Sequence, residues 1–170
     1  MKLLVKIKLC LIILVYTLMN GCNNGMKISE KPYNFNSFEI EKKSHKNGKE
    51  KVIYCLNDAN EVMKIFTLLT NYSDNSKGLE MCFCGNMPKV IFKNTKTGEQ
   101  IRVNIEFNNY QISIYHKKNE ILWTKNKEFV TKYLNIMKNN CKKEYKHWND
   151  FSKSLGASGI DDYLANGVKK

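Results

Sequence analysis

The stretch QIRVNIEFNNYQISIYHK, residues 100–117, decides the fold class of this chain. Its two halves alternate apolar and polar side chains on either side of Asn108-Asn109. Alternation with a period of two is typical of a strand with one buried face, and asparagine tolerates the positive φ of a tight hairpin turn. The stretch therefore predicts two paired antiparallel strands, Gln100–Phe107 and Tyr110–Lys117, with one apolar face.

Helical and strand-like patterns flank this hairpin. Asp58 is a helix-capping residue, and after it the apolar side chains recur at the i, i+3, i+4, i+7 spacing of one helix face. That stripe consists of Val62, Ile65, Phe66 and Leu69. Further strands are predicted at 52–56, 79–84 and 89–93, and further helices at 127–139 and 143–155, with a short strand at 121–123 as an optional additional edge. The order β-α-β-β-β-β-α-α predicts an α+β fold in which an antiparallel, meander-like sheet has helices packed on one face.

Composition places a single domain at 51–155, between two looser segments. Residues 22–50 are rich in Asn, Lys, Ser and Glu. Such a segment buries too little apolar area to offset its ordering entropy, so we predict a flexible tether. Three aromatic residues between 33 and 38 leave open the alternative that a short part of it docks on the domain. The residues 156–170 are predicted to form a loose C-terminal tail.

The first residues of the chain have the layout of an export signal. Three lysines within the first eight residues precede Leu9–Met19, an uncharged apolar stretch of eleven residues. Eleven residues at about 1.5 Å each are too short to cross about 30 Å of hydrocarbon as a helix. The alternative is a longer, uncleaved anchor that begins at Leu3 and contains two of those lysines.

The sequence LMNGC, residues 18–22, resembles the lipobox of bacterial lipoproteins. In that family a small residue precedes a cysteine that receives the lipid and becomes the first residue after cleavage. Gly21 and Cys22 fit this pattern, whereas the two residues before Gly21 depart from its commonest form. The resemblance implies a signal peptide at 1–21, lipidation of Cys22 with palmitate-like chains, and a membrane-anchored location in the bacterial cell envelope. Asn23, which is not aspartate, implies the outer membrane, with its periplasmic or surface face left open.

The motif CxCGxxPxxxF, which runs from Cys82 to Phe92, is similar to a motif of a small uncharacterised bacterial domain. That domain has no activity assigned to it. The resemblance therefore implies a fold and no mechanism.

Four cysteines remain outside the signal segment and the lipobox: Cys55, Cys82, Cys84 and Cys141. In an exported domain, four thiols predict two structural disulfides. Cys82 and Cys84 are two residues apart on a predicted strand, where both face the same way and a bond between them would be strained. Each is expected to pair with Cys55 or Cys141, with the connectivity open. A metal site built from Cys82, Cys84 and a histidine is the alternative, although its ligand spacing is weak.

Sequence motifs of catalysis are absent. The chain has no nucleophile elbow, zinc-protease motif, phosphate-binding loop or dinucleotide-binding motif. His45, His116, His147 and the pair Asp161-Asp162 fall in the predicted tether, strand end, helix and tail. We therefore expect a protein that is not an enzyme and that uses no cofactor or metal.

The chain is strongly basic, with 28 Lys and Arg against 16 Asp and Glu and a net charge of +12. Arg102 is the one arginine. The excess therefore comes from lysine, which lacks the planar fork that reads phosphates or bases bidentately. A solvated lysine-rich surface explains this charge without a function, and an anionic envelope polymer is the functional alternative. Export argues against nucleic acid as a partner.

These features favour a non-catalytic, lipid-anchored envelope protein that binds another protein, as an inhibitor or immunity protein does. The paired strands Gln100–Phe107 and Tyr110–Lys117, with their flanking loops, are the candidate surface. The alternatives are a structural or assembly accessory lipoprotein of an envelope machine and a surface lipoprotein that contacts a host.

Overall fold

An open six-stranded antiparallel sheet forms the centre of this protein. The computed structural model describes residues 32–43, 48–71, 87–106, 110–116 and 119–166. The strands are β1 (Ser37–Lys43), β2 (Glu50–Leu56), β3 (Lys89–Lys93), β4 (Gln100–Ile105), β5 (Gln111–His116) and β6 (Asn119–Lys125). They lie in the order β2-β1-β3-β4-β5-β6, and every neighbouring pair is antiparallel.

Four helices accompany the sheet within the described ranges. They are α1 (Ala59–Thr70), α2 (Lys127–Asn140), α3 (Lys142–Ser154) and α4 (Ile160–Asn166). The cap predicted for α1 is confirmed, because Asp58 Oδ1 accepts hydrogen bonds from the backbone N–H groups of Asn60 and Glu61. The apolar stripe predicted for this helix is buried as expected. The α+β class and the meander of β3 to β6 predicted from the sequence are confirmed.

The prediction of a flexible tether at 22–50 is wrong for its second half. Residues 37–43 of this segment form β1, which lies inside the sheet between β2 and β3. Tyr33, Phe35 and Phe38 are buried, so the docking alternative left open for this region is the correct one. The polar composition of residues 22–50 gave no sign of this short strand, which is stabilised by pairing with β2 and β3. Residues 22–31 and 44–47 lie outside the described residues.

The prediction of a loose tail at 156–170 is wrong for residues 160–166, and residues 167–170 lie outside the described residues. Residues 160–166 form α4, and Ile160, Tyr163 and Leu164 are buried at the i, i+3, i+4 spacing of one helix face. Asn149 Oδ1 of α3 accepts a hydrogen bond from the Ile160 N–H at 3.2 Å, which ties the two helices together. The helix is too short to show a repeated period in the sequence. The domain therefore includes residues before 51 and after 155.

The remaining differences concern the strands. The predicted strand 79–84 lies outside the described residues. The short edge predicted at 121–123 is the full strand β6. The predicted order β-α-β-β-β-β-α-α lacks β1 at its start, β6 as a regular strand and α4 at its end.

The core between the sheet and the helices is an aromatic cluster centred on Phe92 of β3. Its ring centroid lies 5.3 Å from that of Phe38, 5.2 Å from Phe66, 5.9 Å from Phe35 and 6.2 Å from Phe129. The Phe38 and Phe66 rings meet it edge to face, an arrangement that aromatic quadrupoles favour. Since Phe66 belongs to α1 and Phe129 to α2, the cluster holds both helices on this face of the sheet.

Asn126, which is 3% exposed, connects α1 to α2. Its Oδ1 accepts a hydrogen bond from the Phe129 N–H at 2.9 Å and so caps the start of α2. Its Nδ2 donates to the carbonyl oxygens of Leu68 and Leu69, at 2.8 and 3.2 Å, near the end of α1. One buried side chain therefore satisfies backbone groups at the ends of two helices.

Candidate interaction surface

The face of the sheet away from the aromatic cluster is polar, and we call it the polar face. Phe38 and Phe92 point toward the helices, so their chain neighbours Glu39 and Ile91 point to the opposite side. The strand register aligns Glu39 with Ile91, and Ile91 with Arg102. The polar face includes Glu39, Glu41, Glu50, Lys89, Ile91, Lys93, Arg102, Asn104, Gln111 and Ser113. The register also places Val52 opposite Glu41 and Tyr115 opposite Arg102 on this face.

Ion pairs join four strands across the polar face. Lys93 of β3 pairs with Glu39 of β1, and Lys89 of β3 pairs with Glu50 of β2. Arg102 Nη2 of β4 lies 3.8 Å from Glu50 Oε2. Partly exposed ion pairs of this kind contribute only about 0.2–1 kcal/mol each to stability. Their main effect is to present a fixed pattern of positive and negative charge on a flat surface.

Two neighbouring carboxyl groups of the polar face have opposite pKa shifts. Burial and the repulsion of Glu50 raise the pKa of Glu41. A hydrogen bond from Lys89 lowers the pKa of Glu50. Opposite shifts within a carboxyl pair also occur in acid–base catalysts. Here Lys89 and Arg102 favour the ionised form of Glu50, whereas burial and the charge of Glu50 disfavour the ionised form of Glu41 and so raise its pKa.

We expect Glu41→Gln to raise the free energy of unfolding at pH 7. We expect Glu50→Gln to lower it, by less than about 1 kcal/mol. The raised pKa of Glu41 means that ionisation of this group opposes folding as the pH rises through its folded pKa. The lowered pKa of Glu50 means that its stabilising effect is lost as the pH falls through its folded pKa. Urea unfolding of the two variants and the wild type between pH 3 and 7 measures both effects.

Glu41→Gln should approach the wild type below the ordinary pKa of glutamate, where Glu41 is neutral in both the folded and the unfolded protein. Glu50→Gln should approach the wild type only at lower pH, below the lowered folded pKa of Glu50. Each variant is therefore the control for the other. A loss of stability in both at pH 7, or a difference between Glu41→Gln and the wild type that persists unchanged at pH 3, would contradict this description of the pair.

Three polar atoms on β4 and β5 are buried and have no hydrogen-bond partner among the described residues. They are Arg102 Nε, Asn104 Oδ1 and Gln111 Oε1. All three belong to the polar face, and Gln111 as a whole is only 3% exposed. A buried polar atom without a partner costs about 1–3 kcal/mol. Because these atoms have almost no solvent-accessible surface, they do not themselves offer contacts to a partner.

The strands predicted as the candidate surface do pair with each other. Residues 101–105 of β4 lie opposite residues 112–116 of β5 in continuous register. Both strands lie inside the sheet, so they offer side chains to a partner and not an unpaired backbone edge. Glu39 and Glu41 were not predicted as part of this surface, because their segment has the composition of a tether. Their alternation with Phe38 and Ile40 was the signal that could have found them.

The cysteines predicted as disulfide partners are only partly described. Cys55 is exposed on β2 and Cys141 is buried at the junction of α2 and α3, and both have free thiols. Burial raises the pKa of the Cys141 thiol, which makes it a poor nucleophile. Cys22, Cys82 and Cys84 lie outside the described residues. Lipidation and the two disulfides therefore remain predictions.

The histidines and the acidic pair are dispersed over the fold. His116 lies at the end of β5, His147 lies on α3, and Asp161 and Asp162 lie in the first turn of α4. His45 lies outside the described residues. Within the described ranges no group of three or more His, Cys, Asp or Glu is placed to hold a metal ion.

The helices of the described segments are all too short or too polar to span a membrane. No protein-family model, no curated protein and no solved structure matches this chain.

Proposed function

We propose that this chain is a lipid-anchored protein of the bacterial cell envelope that acts by binding another protein through its polar face. The observation that carries this proposal is the set of ion pairs that joins Glu39, Glu50, Lys89, Lys93 and Arg102 across four strands of the polar face. These side chains are partly exposed, so a partner can contact them. Their fixed arrangement is what a complementary protein surface would use.

The mixed signs of the polar face favour a protein partner over a uniformly charged polymer. Glu39 and Glu50 alternate with Lys89, Lys93 and Arg102 on adjacent strands. A partner must match both signs at fixed positions, which gives specificity because wrong partners meet like charges. Arginine is also enriched at the centres of protein interfaces.

The anchor and the location rest on the sequence. The lipobox-like residues 18–22 support lipidation at Cys22, and acyl chains hold a protein at a membrane once more than one chain is present. Asn23 supports delivery to the outer membrane. In this proposal the chain has no catalytic role, needs no cofactor and acts as an inhibitor or immunity protein. The alternatives are an assembly accessory subunit of an envelope machine and a surface protein that contacts a host.

Affinity capture of the full chain from detergent-solubilised envelope tests the proposal. The bait carries a C-terminal tag and is compared as wild type, as Arg102→Ala, and as Lys132→Ala, an exposed substitution on α2. We expect one protein at near-equal amounts with the wild type and with Lys132→Ala. Binding to Arg102→Ala should weaken by about 30-fold, as at an interface centre. If no protein is captured, or if Arg102→Ala captures as much as Lys132→Ala, the proposal fails.

The activity of the captured partner separates the alternatives. An inhibitor abolishes an enzyme activity of its partner when the two are mixed, whereas an accessory subunit leaves it intact or is required for assembly. A surface protein that contacts a host is digested by protease on intact cells. Incorporation of labelled palmitate, and its loss in Cys22→Ser, tests the anchor separately from the binding.

A further inference from the structure

The end of the β1–β2 hairpin and the start of α3 form one basic corner. Lys42 of β1 lies opposite Lys51 of β2 in the strand register. Lys42 Nζ also lies 3.6 Å from Glu144 Oε1, in the first turn of α3. The first turn of α3 is therefore beside the hairpin. We call this region the hairpin corner, and its lysines are Lys42, Lys43, Lys51, Lys142 and Lys143.

Two placements at the hairpin corner are electrostatically unfavourable. Lys42 and Lys51 are direct cross-strand neighbours, and like charges in such pairs repel each other. Lys142 and Lys143 are the first two residues of α3, where the positive end of the helix dipole disfavours cations. Glu144 offsets one of these positive charges, because its carboxylate pairs with the Lys42 ammonium group. Two independent unfavourable placements at one corner are explained if an anion outside the protein neutralises them.

The chemistry of the corner suits a diffuse anionic layer. Its positive charges are all lysines, whose compact ammonium groups lack the planar geometry that recognises a single phosphate bidentately. Because β2 is an edge strand, Lys51 lies at the rim of the sheet, where it is exposed. A cluster of exposed lysines at a rim is typical of a surface that attracts anionic headgroups.

We infer that the hairpin corner docks the domain on a membrane leaflet that contains anionic phospholipid. The headgroups neutralise the lysines of the corner. This contact does not depend on a lipid at Cys22 or on the partner of the polar face. Lys42 and Lys51 face the helix side of the sheet, where Lys42 meets Glu144, so docking there leaves the polar face on the other side free for a protein.

Lysine footprinting of the full chain in nanodiscs tests this inference. The chain is reconstituted into nanodiscs that contain phosphatidylcholine alone or phosphatidylcholine with phosphatidylglycerol. An amine-reactive reagent then modifies accessible lysines, and mass spectrometry measures the modification rate of each lysine. We expect modification of Lys51 to slow only in the anionic nanodiscs and to recover at high salt, because salt screens exposed charges. Lys96 and Lys153 are exposed outside the corner and should react at the same rate in both.

The double variant Lys142→Gln/Lys143→Gln should lower the docking constant by about 30-fold and restore the modification rate of Lys51. The matched variant Lys96→Gln/Lys153→Gln removes the same amount of charge away from the corner. In this variant the modification rate of Lys51 should remain low in the anionic nanodiscs. If Lys51 reacts equally fast in both nanodiscs, the corner does not dock. If the modification rates of all lysines fall together in the anionic nanodiscs, or if both double variants change the rate of Lys51 equally, the attraction is general to the basic chain. The inference is then wrong. If soluble inorganic phosphate alone slows Lys51 as much as anionic nanodiscs do, the corner binds free anions and not a membrane.

Discussion

Phe92→Ala is expected to lower the free energy of unfolding by about 3–5 kcal/mol, the usual loss for a buried phenylalanine. Phe92 is fully buried, and its ring contacts Phe38, Phe66 and Phe129, which come from β1, α1 and α2. Its removal leaves a cavity where the sheet and both helices meet. Urea unfolding followed by circular dichroism measures the loss. It would be a large fraction of the 5–15 kcal/mol that is typical of whole domains.

Val52→Ala is the matched control, since Val52 is apolar but exposed on β2. Surface substitutions of this kind change stability by about 0.5 kcal/mol or less. If the two variants unfold at similar urea concentrations, the core is not centred on Phe92.

Asn126→Ala is expected to lower the free energy of unfolding by about 2–4 kcal/mol. The substitution removes the cap of α2 and also leaves the carbonyl oxygens of Leu68 and Leu69 without their side-chain donor. A lost cap alone costs about 1 kcal/mol. The bond to the Leu69 carbonyl is buried, and a buried group left without a partner adds about 1–3 kcal/mol, whereas the bond to the Leu68 carbonyl is part-buried and water can replace it. Thermal and urea unfolding of the variant measure the sum.

Asp58→Ala is the control for the capping role, because Asp58 caps α1 from an exposed position and bonds only within its own helix turn. We expect it to cost about 0.5–1 kcal/mol. Asn126→Asp keeps an acceptor for the Phe129 N–H but loses the donor to α1, so it isolates the connection between the helices. Equal losses for Asn126→Ala and Asp58→Ala would show that this connection contributes nothing.

Local patterns predicted the parts of the fold that are set by local interactions. The β4–β5 hairpin follows from alternation on both sides of a two-residue turn, and α1 follows from a cap and one apolar stripe. β1 and α4 were missed because neither is stable through its own sequence. β1 depends on β2 and β3 at its two edges, and α4 depends on burial of three side chains.

The candidate surface was predictable in part for the same reason. Arg102 and Asn104 alternate with buried residues of β4, so the sequence places them on one outer face. The ion pairs with Glu39 and Glu50 depend on the register between strands that are distant in the chain. The bonds from Asn126 to Leu68 and Leu69 span 58 and 57 residues. The local pattern of apolar and polar residues does not show which residues that are distant in the chain meet in the fold.

Because β1 lies inside the sheet, the domain resists a pulling force differently at its N-terminal and C-terminal sides. A pulling force that arrives from the N-terminal side enters at Ser37 and acts along a strand that is hydrogen-bonded to β2 and β3. Extraction of this strand must shear two ladders at the same time. A force from the C-terminal side enters at α4, a helix of seven residues, and can peel it away in small steps. The fold therefore bears tension best when it is held by its N-terminal side.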